Sequence, residues 1–305
     1  MKRVIWLVCL LSMTFFKNAE AAKIVVTIPP LLSAIKPLLS PQDSVKVLLP
    51  KGQTPHAFSL KPSSLVAIQE ADIIISVGSG ADHWAQKAIA NRQAQGKVSV
   101  IRMIDLPGIT LIKGGDSHHH KAKEHESIHQ AHDADELGIN PHLWLDMGNV
   151  ERLVQAVGQV LAKQSPGRAE SILAKTHTWL SKLQSTDTKI QQALQPVQQE
   201  PYLVFHNAYA YFEKRYGLNN QGALHNGALQ KAGVKRLMTV DEMIRQNRVK
   251  CVFQEPQRSA KQLKGLVKGT QVKLGMLDPL GDGSLNTVQF MQKLTHQFLG
   301  CLAAK

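Results

Sequence analysis

Three isolated histidines lie at positions in the sequence where they could bind a ligand or a metal ion. His56, His142 and His206 each belong to a short motif beside a predicted strand, at a junction with a loop. In open α/β sheets, ligands bind outside the carboxyl ends of the strands. Neutral imidazole is a good ligand for borderline metals such as Zn²⁺, and three imidazoles leave a fourth position for water or a carboxylate. Each histidine alone is more typical of a structural or surface residue, so a metal site at these positions is a hypothesis that needs a further signal.

A second group of histidines lies in a tract of low complexity at residues 114–136. His, Lys, Asp and Glu dominate this tract, which has almost no apolar residues and is typical of a solvated insertion. Six histidines are candidate accessory metal ligands: His118, His119, His120, His125, His129 and His132. We expect them either to bind extra zinc weakly or to have little function. His125 to His129 also fits a metalloprotease motif, but its charged flanks lack the apolar stripe that a buried helix needs.

The composition describes an ordinary globular protein of one large or two medium domains. The chain has 305 residues, of which 43% are hydrophobic and 19% charged. Lys and Arg number 36 against 23 for Asp and Glu, a formal charge of +13. This excess is the one feature that suggests nucleic-acid binding. Because the basic residues are scattered and the chain is predicted to be exported, we expect a solvated surface and no nucleic-acid partner.

The first 21 residues predict a secretory signal peptide. Lys2 and Arg3 precede an apolar run at residues 4–16, and the small-x-small site at 19–21 predicts cleavage before Ala22. The apolar run is too short to span a membrane. Cys9 lies inside this run and not at the cleavage site, which argues against a lipoprotein anchor.

Export also affects the interpretation of the two remaining cysteines, Cys251 and Cys301. An oxidising compartment favours a disulfide between them. The rival interpretation is a thiolate zinc site, which would need more Cys or His residues nearby.

Alternating strands and helices predict two α/β lobes, each a mostly parallel sheet flanked by helices. The predicted strands are 23–27, 45–49, 73–77, 98–101, 143–145, 202–205, 251–253 and 271–276. The predicted helices after the histidine tract are 150–162, 166–194, 208–216, 234–245, 259–267 and 285–299. At about 1.5 Å per residue, the helix at 166–194 would be about 40 Å long, enough to connect two lobes. The predicted organisation is a first lobe at 22–164, a long rigid linking helix at 165–197 and a second lobe at 198–305.

Five motifs in the predicted mature chain resemble those of the periplasmic zinc-binding component of bacterial high-affinity zinc ABC transporters. They occur in that family's order and bracket a histidine-rich insertion placed as in that family. The motifs lie at residues 55–62, 140–145, 204–214, 251–257 and 277–281. The resemblance implies two lobes joined by a long rigid helix, with one zinc ion held in the cleft between them. It also implies a monomeric, non-enzymatic carrier that delivers zinc to a membrane permease powered by a cytoplasmic ATPase.

The resemblance also assigns individual residues. It implies that His56, His142 and His206 are the protein ligands and that Cys251 and Cys301 form a disulfide. Related manganese-binding proteins carry a carboxylate at the position of His206, so imidazole there favours zinc.

The fourth ligand stays open. Asp278 matches the position where the manganese-binding proteins supply their last ligand, and a water molecule is the alternative. Some zinc-binding relatives have Glu directly before the first histidine, where this chain has Pro55.

Two other functions remain as alternatives: a manganese-binding relative, and a zinc-dependent hydrolase that uses the open fourth position. A hydrolase would need a general base near the bound water, and no matching motif lies outside the tract.

Overall fold

The computed structural model describes the chain from the predicted cleavage site almost to its end. The described residues are 21–114, 138–225, 233–258 and 261–303, without the side chain of Gln262. The predicted signal peptide, apart from residue 21, and the histidine tract, apart from Gly114, lie outside them. Within the described ranges, no helix is long and apolar enough to cross a membrane.

The first sheet contains four parallel strands in the order β2-β1-β3-β4. They are β1 (Lys23–Val26), β2 (Ser44–Val47), β3 (Ile73–Ser76) and β4 (Ser99–Arg102). Helices α1 (Pro29–Ile35), α2 (Pro62–Glu70) and α3 (His83–Ala94) connect them. All four residues of β3 are buried, as expected for a strand in the middle of a parallel sheet with both faces covered.

Two long helices connect the sheets. Helix α4 (Met147–Gln164) begins at Asp146, whose side chain accepts a hydrogen bond from the Asn149 backbone N–H. Helix α5 (Ala169–Leu194) has 26 residues, which corresponds to a length of about 39 Å. It packs against α4 and against the last helix of the chain, and so contacts both halves of the molecule.

The second sheet repeats the strand order of the first, β6-β5-β7-β8, and all its strands are parallel. Its strands are β5 (Tyr202–His206), β6 (Asn220–His225), β7 (Cys251–Gln254) and β8 (Lys273–Met276). Its helices are α6 (Ala210–Tyr216), α7 (Val234–Arg245), α8 (Lys261–Val267) and α9 (Thr287–Leu302). Cys251 on β7 and Cys301 on α9 form a disulfide with a Cα–Cα distance of 6.1 Å, which fastens this last helix to the sheet.

One apolar cluster joins the two sheets. It contains residues from both sheets and from α1, α4, α5 and α9. The opposite face of the first sheet packs against α2 and α3, and the opposite face of the second packs against α7 and α8. Because successive strand residues point to opposite faces, Ile24 and Val26 belong to the shared cluster, whereas Val25 belongs to the smaller one. The long helix therefore lies in the layer that both sheets share.

The predicted fold class is confirmed, but one predicted strand is wrong and one observed strand was missed. Leu143–Leu145, predicted as a strand, is a buried 3₁₀ turn, because a short apolar run does not by its period distinguish a strand from a buried turn. Strand β6 was missed because its sequence, Asn-Gln-Gly-Ala-Leu-His, has little β-propensity and is recruited by pairing with β5. The lobe boundaries stay a prediction.

The close contact between α4 and α5 gives a stability prediction. A Cβ at Gly158 of α4 would lie 2.7 Å from Cγ2 of Thr176 on α5. The Thr176 hydroxyl donates to the Ile172 carbonyl at 2.7 Å, which holds this side chain in place. We expect Gly158→Ala to lower the free energy of unfolding by about 1–3 kcal/mol through overpacking, measured by chemical denaturation.

The matched control is Gly300→Ala on α9, where an added Cβ meets no atom within 4 Å. We expect this variant to be neutral or up to about 1 kcal/mol more stable, because alanine favours the helix. Equal stability of the two variants would contradict the close packing of α4 on α5.

Candidate metal centre

The three isolated histidines meet between the two sheets. Their ring centroids lie 5.2 to 5.8 Å apart, and one nitrogen of each ring lies within 4.8 Å of the others. Within the described ranges, this is the one group of three or more His, Cys, Asp or Glu side chains with a geometry that could hold a metal ion. His142 and His206 are buried, and His56 is partly exposed.

Each histidine lies in or beside a regular element. His56 lies in the 3₁₀ turn Pro55–Ala57, which follows β2 and precedes α2. His142 directly precedes the 3₁₀ turn that leads into α4. His206 is the last residue of β5. Two of the imidazoles therefore come from the first half of the chain and one from the second sheet, which places the group where the halves face each other.

Asn140 orients the imidazole of His142. Its side-chain oxygen lies 2.9 Å from Nδ1 of His142 and accepts the backbone N–H of the same residue at 3.1 Å. The amide orientation is fixed because Nδ2 donates to the carbonyl of Asn207 at 2.7 Å. An oxygen beside Nδ1 requires the proton to be on Nδ1, so neutral His142 carries a lone pair on Nε2.

Glu255 orients His206 in the same way. Its Oε1 lies 2.6 Å from Nδ1 of His206, and both side chains are buried. The carboxylate accepts from Nδ1, which leaves Nε2 of neutral His206 with a lone pair. That Nε2 lies 3.3 Å from Nε2 of His142. Two lone pairs at this distance repel each other unless a proton or a cation lies beside them.

Burial keeps two of the three imidazoles neutral, those of His56 and His142. It lowers the pKa of His56 to about 3, with a smaller contribution from His206. The pKa of His142 is also lowered well below its ordinary value, again mainly by burial. Both imidazoles are therefore neutral at neutral pH, as metal binding requires. Nε2 of His56 is buried and has no hydrogen-bond partner among the described residues, so it fits a role as a ligand.

The space at the three rings fits a single ion. The pocket has a volume of about 10 Å³, roughly enough for one water-sized occupant. Besides the histidines, its lining residues are Thr54, Pro55, Glu255, Gln257, Pro279 and Leu280. An organic ligand would not fit without a change in structure.

Asp278 lies outside the group of imidazoles. Its Oδ1 accepts hydrogen bonds from Nε2 of Gln257 at 3.0 Å and from the Leu280 backbone N–H at 3.1 Å. The six histidines of the tract lie outside the described residues. The Cys251–Cys301 disulfide removes both thiols, so these cysteines do not form a thiolate zinc site.

The motifs did not identify Asn140 and Glu255 as partners of the histidines, or Gln257 as part of the pocket lining. Each lies in one of these motifs, at 140–145 or 251–257. The position of Glu255 could have indicated its role. It is a carboxylate directly after a buried strand, at the same edge of the sheet as His206. The side chains and backbone groups that these residues contact include ones far away along the chain, so the sequence alone does not indicate the contacts.

Comparison with known proteins agrees with this architecture. The model of a family described as zinc-uptake complex component A, periplasmic, matches residues 24–300. The high-affinity zinc uptake system protein ZnuA of Haemophilus ducreyi is 31% identical over 316 aligned positions, covering 99% of each chain.

Solved structures share the fold. A zinc-bound ZnuA deletion mutant superposes with a TM-score of 0.76 at 22% identity, covering 94% of this chain and 100% of its own. The periplasmic zinc-binding protein TroA of Treponema pallidum gives 0.75 at 20% identity, with coverages of 93% and 100%. With the family match over nearly the whole described chain, these findings show that the protein belongs to the family of periplasmic A components of zinc-uptake complexes.

Proposed function

We propose that this protein captures Zn²⁺ in the periplasm and delivers it to the membrane permease of an ABC transporter that a cytoplasmic ATPase powers. The observation that carries the proposal is the meeting of three imidazoles, two of them fixed with Nε2 toward the others, in a pocket for one ion. The family match supports the transport role. His56, His142 and His206 are the proposed ligands.

The donor set favours zinc over manganese. Three imidazole nitrogens suit Zn²⁺, whereas Mn²⁺ prefers carboxylate and carbonyl oxygens. Asp278, which could have supplied an oxygen, is engaged by Gln257 and the Leu280 backbone. We therefore propose a water molecule as the fourth ligand.

The surroundings favour a carrier over a hydrolase. A zinc hydrolase needs room for a substrate and a general base within reach of the metal-bound water. The pocket of about 10 Å³ leaves no room for a peptide or ester. Glu255, the buried carboxylate at the site, is bound to Nδ1 of His206, on the side of the ring away from Nε2. This arrangement supports binding without turnover.

Replacing any of the three histidines tests the proposed ligands. We expect His56→Ala, His142→Ala and His206→Ala each to weaken zinc binding by more than about 100-fold, beyond the loss typical of an outer-shell partner. The measurement is competition against a chromophoric chelator. His177→Ala, on the exposed side of α5, is the matched control and should bind as the wild type does.

The same measurement is made on a variant without residues 116–136. Lys113 and Ile139 pair across the base of this segment, so a short turn can join its ends. We expect this variant to keep one tight zinc per chain. Loss of tight binding in it, or zinc-dependent hydrolysis of peptides or esters by the full chain, would contradict the proposal.

The negative charge of Glu255 is expected to strengthen zinc binding by His206. Glu255→Gln keeps an oxygen for Nδ1 of His206 but removes the negative charge, so we expect zinc affinity to fall about 10- to 100-fold. Glu213→Gln is the matched control, because Glu213 is also buried in the second half but is bound to Tyr202 and Asn220. Equal zinc affinities of the two variants would show that the carboxylate does not support His206.

A further inference from the structure

A second, larger cavity adjoins the three-histidine pocket. Its volume is about 350 Å³, and it lies between α1, the β8–α9 loop and α9. Gln257 is the one residue that lines both spaces. Three chain segments, at residues 51–56, 255–257 and 278–282, contribute neighbouring residues to the two linings. The two spaces therefore share a wall, and the Gln257 side chain is part of it.

Asp278 holds the Gln257 side chain in this position. Oδ1 of Asp278 accepts from Nε2 of Gln257 at 3.0 Å. The same oxygen accepts the Leu280 backbone N–H at 3.1 Å, which fixes the carboxylate against its own loop. Asp278 lines the larger cavity but not the three-histidine pocket. Its contact with Gln257 is therefore made from the side of the larger cavity.

The sizes of the two spaces suggest a route for the ion. The larger cavity, at about 350 Å³, has room for several water molecules, so a hydrated cation fits there. The three-histidine pocket, at about 10 Å³, accepts the ion only after most of this water is lost. Because Gln257 lines both spaces and its side-chain amide donates to Asp278, this side chain lies on the shortest route between them.

We infer that Gln257 is the gate through which the cation passes between the larger cavity and the three histidines, and that Asp278 is the positioning residue that keeps this gate closed. The inference rests on the proposed zinc-carrier function. It gives Asp278 a role in the rates of binding and release, and not in coordination.

The test compares rates with affinities in the full chain, using Zn²⁺ itself as the probe. Gln257→Ala should raise the association and dissociation rate constants together by about tenfold, the effect of one hydrogen bond removed from a barrier. Because both rates rise equally, the dissociation constant stays unchanged. Stopped-flow mixing with zinc, and with a chelator for release, measures the two rates.

Two variants of Asp278 separate a gate partner from a metal ligand. Asp278→Ala removes the acceptor and should behave as Gln257→Ala does. Asp278→Asn keeps an oxygen that can accept from Gln257 and Leu280, so it should bind and release zinc at the wild-type rates. Gln297→Ala is the matched control, since Gln297 lines the larger cavity but not the three-histidine pocket, and its rates should be those of the wild type.

Two results would overturn the inference. Unchanged rates in Gln257→Ala would show that the ion takes another path. Weaker equilibrium binding in Asp278→Asn, with a changed visible spectrum of the Co²⁺-substituted protein, would make Asp278 a ligand. Both results leave the carrier function intact, which fails separately if the wild-type chain does not bind zinc tightly.

Discussion

The site depends on two imidazole nitrogens, Nε2 of His142 and Nε2 of His206, that face each other across 3.3 Å. Asn140 and Glu255 each accept from Nδ1 of one ring, which turns both Nε2 atoms toward the space between the rings. Burial makes a charged imidazolium costly for His142 and His56, so these two rings present lone pairs at the site. A cation beside these nitrogens stabilises this arrangement.

The fold keeps these imidazoles together although they come from different halves of the chain. The shared apolar cluster and α5 hold the two sheets in one arrangement. A buried polar contact also joins the two halves beside the site. Nε1 of Trp144 donates a hydrogen bond to the Pro279 carbonyl at 2.7 Å. Arg215 on α6 contacts Asp187 of α5 and Asp146, the cap of α4. The elements that carry His142 and His206 are thus linked through their flanking helices.

Much of this arrangement followed from the sequence, because it depends on local patterns. Apolar β-branched runs and helical periodicity predicted the two sheets and the long helix, and the motifs shared with the zinc-binding family placed His56, His142 and His206 together. The misses are all tertiary effects. Strand β6 forms only through its pairing with β5, and the run at 143–145 is buried as a turn. The hydrogen bond from Gln257 to Asp278 joins two loops, which no spacing along the chain indicates.

X-ray absorption at the zinc edge reports directly whether three imidazoles hold the zinc ion, as proposed. The sample is the variant without residues 116–136, loaded with one zinc per chain, so that the tract contributes no signal. We expect three imidazole nitrogens and one oxygen at about 2.0–2.1 Å, the usual distances for four-coordinate zinc. A spectrum with fewer than three imidazoles, or with a sulfur ligand at about 2.3 Å, would contradict the proposal.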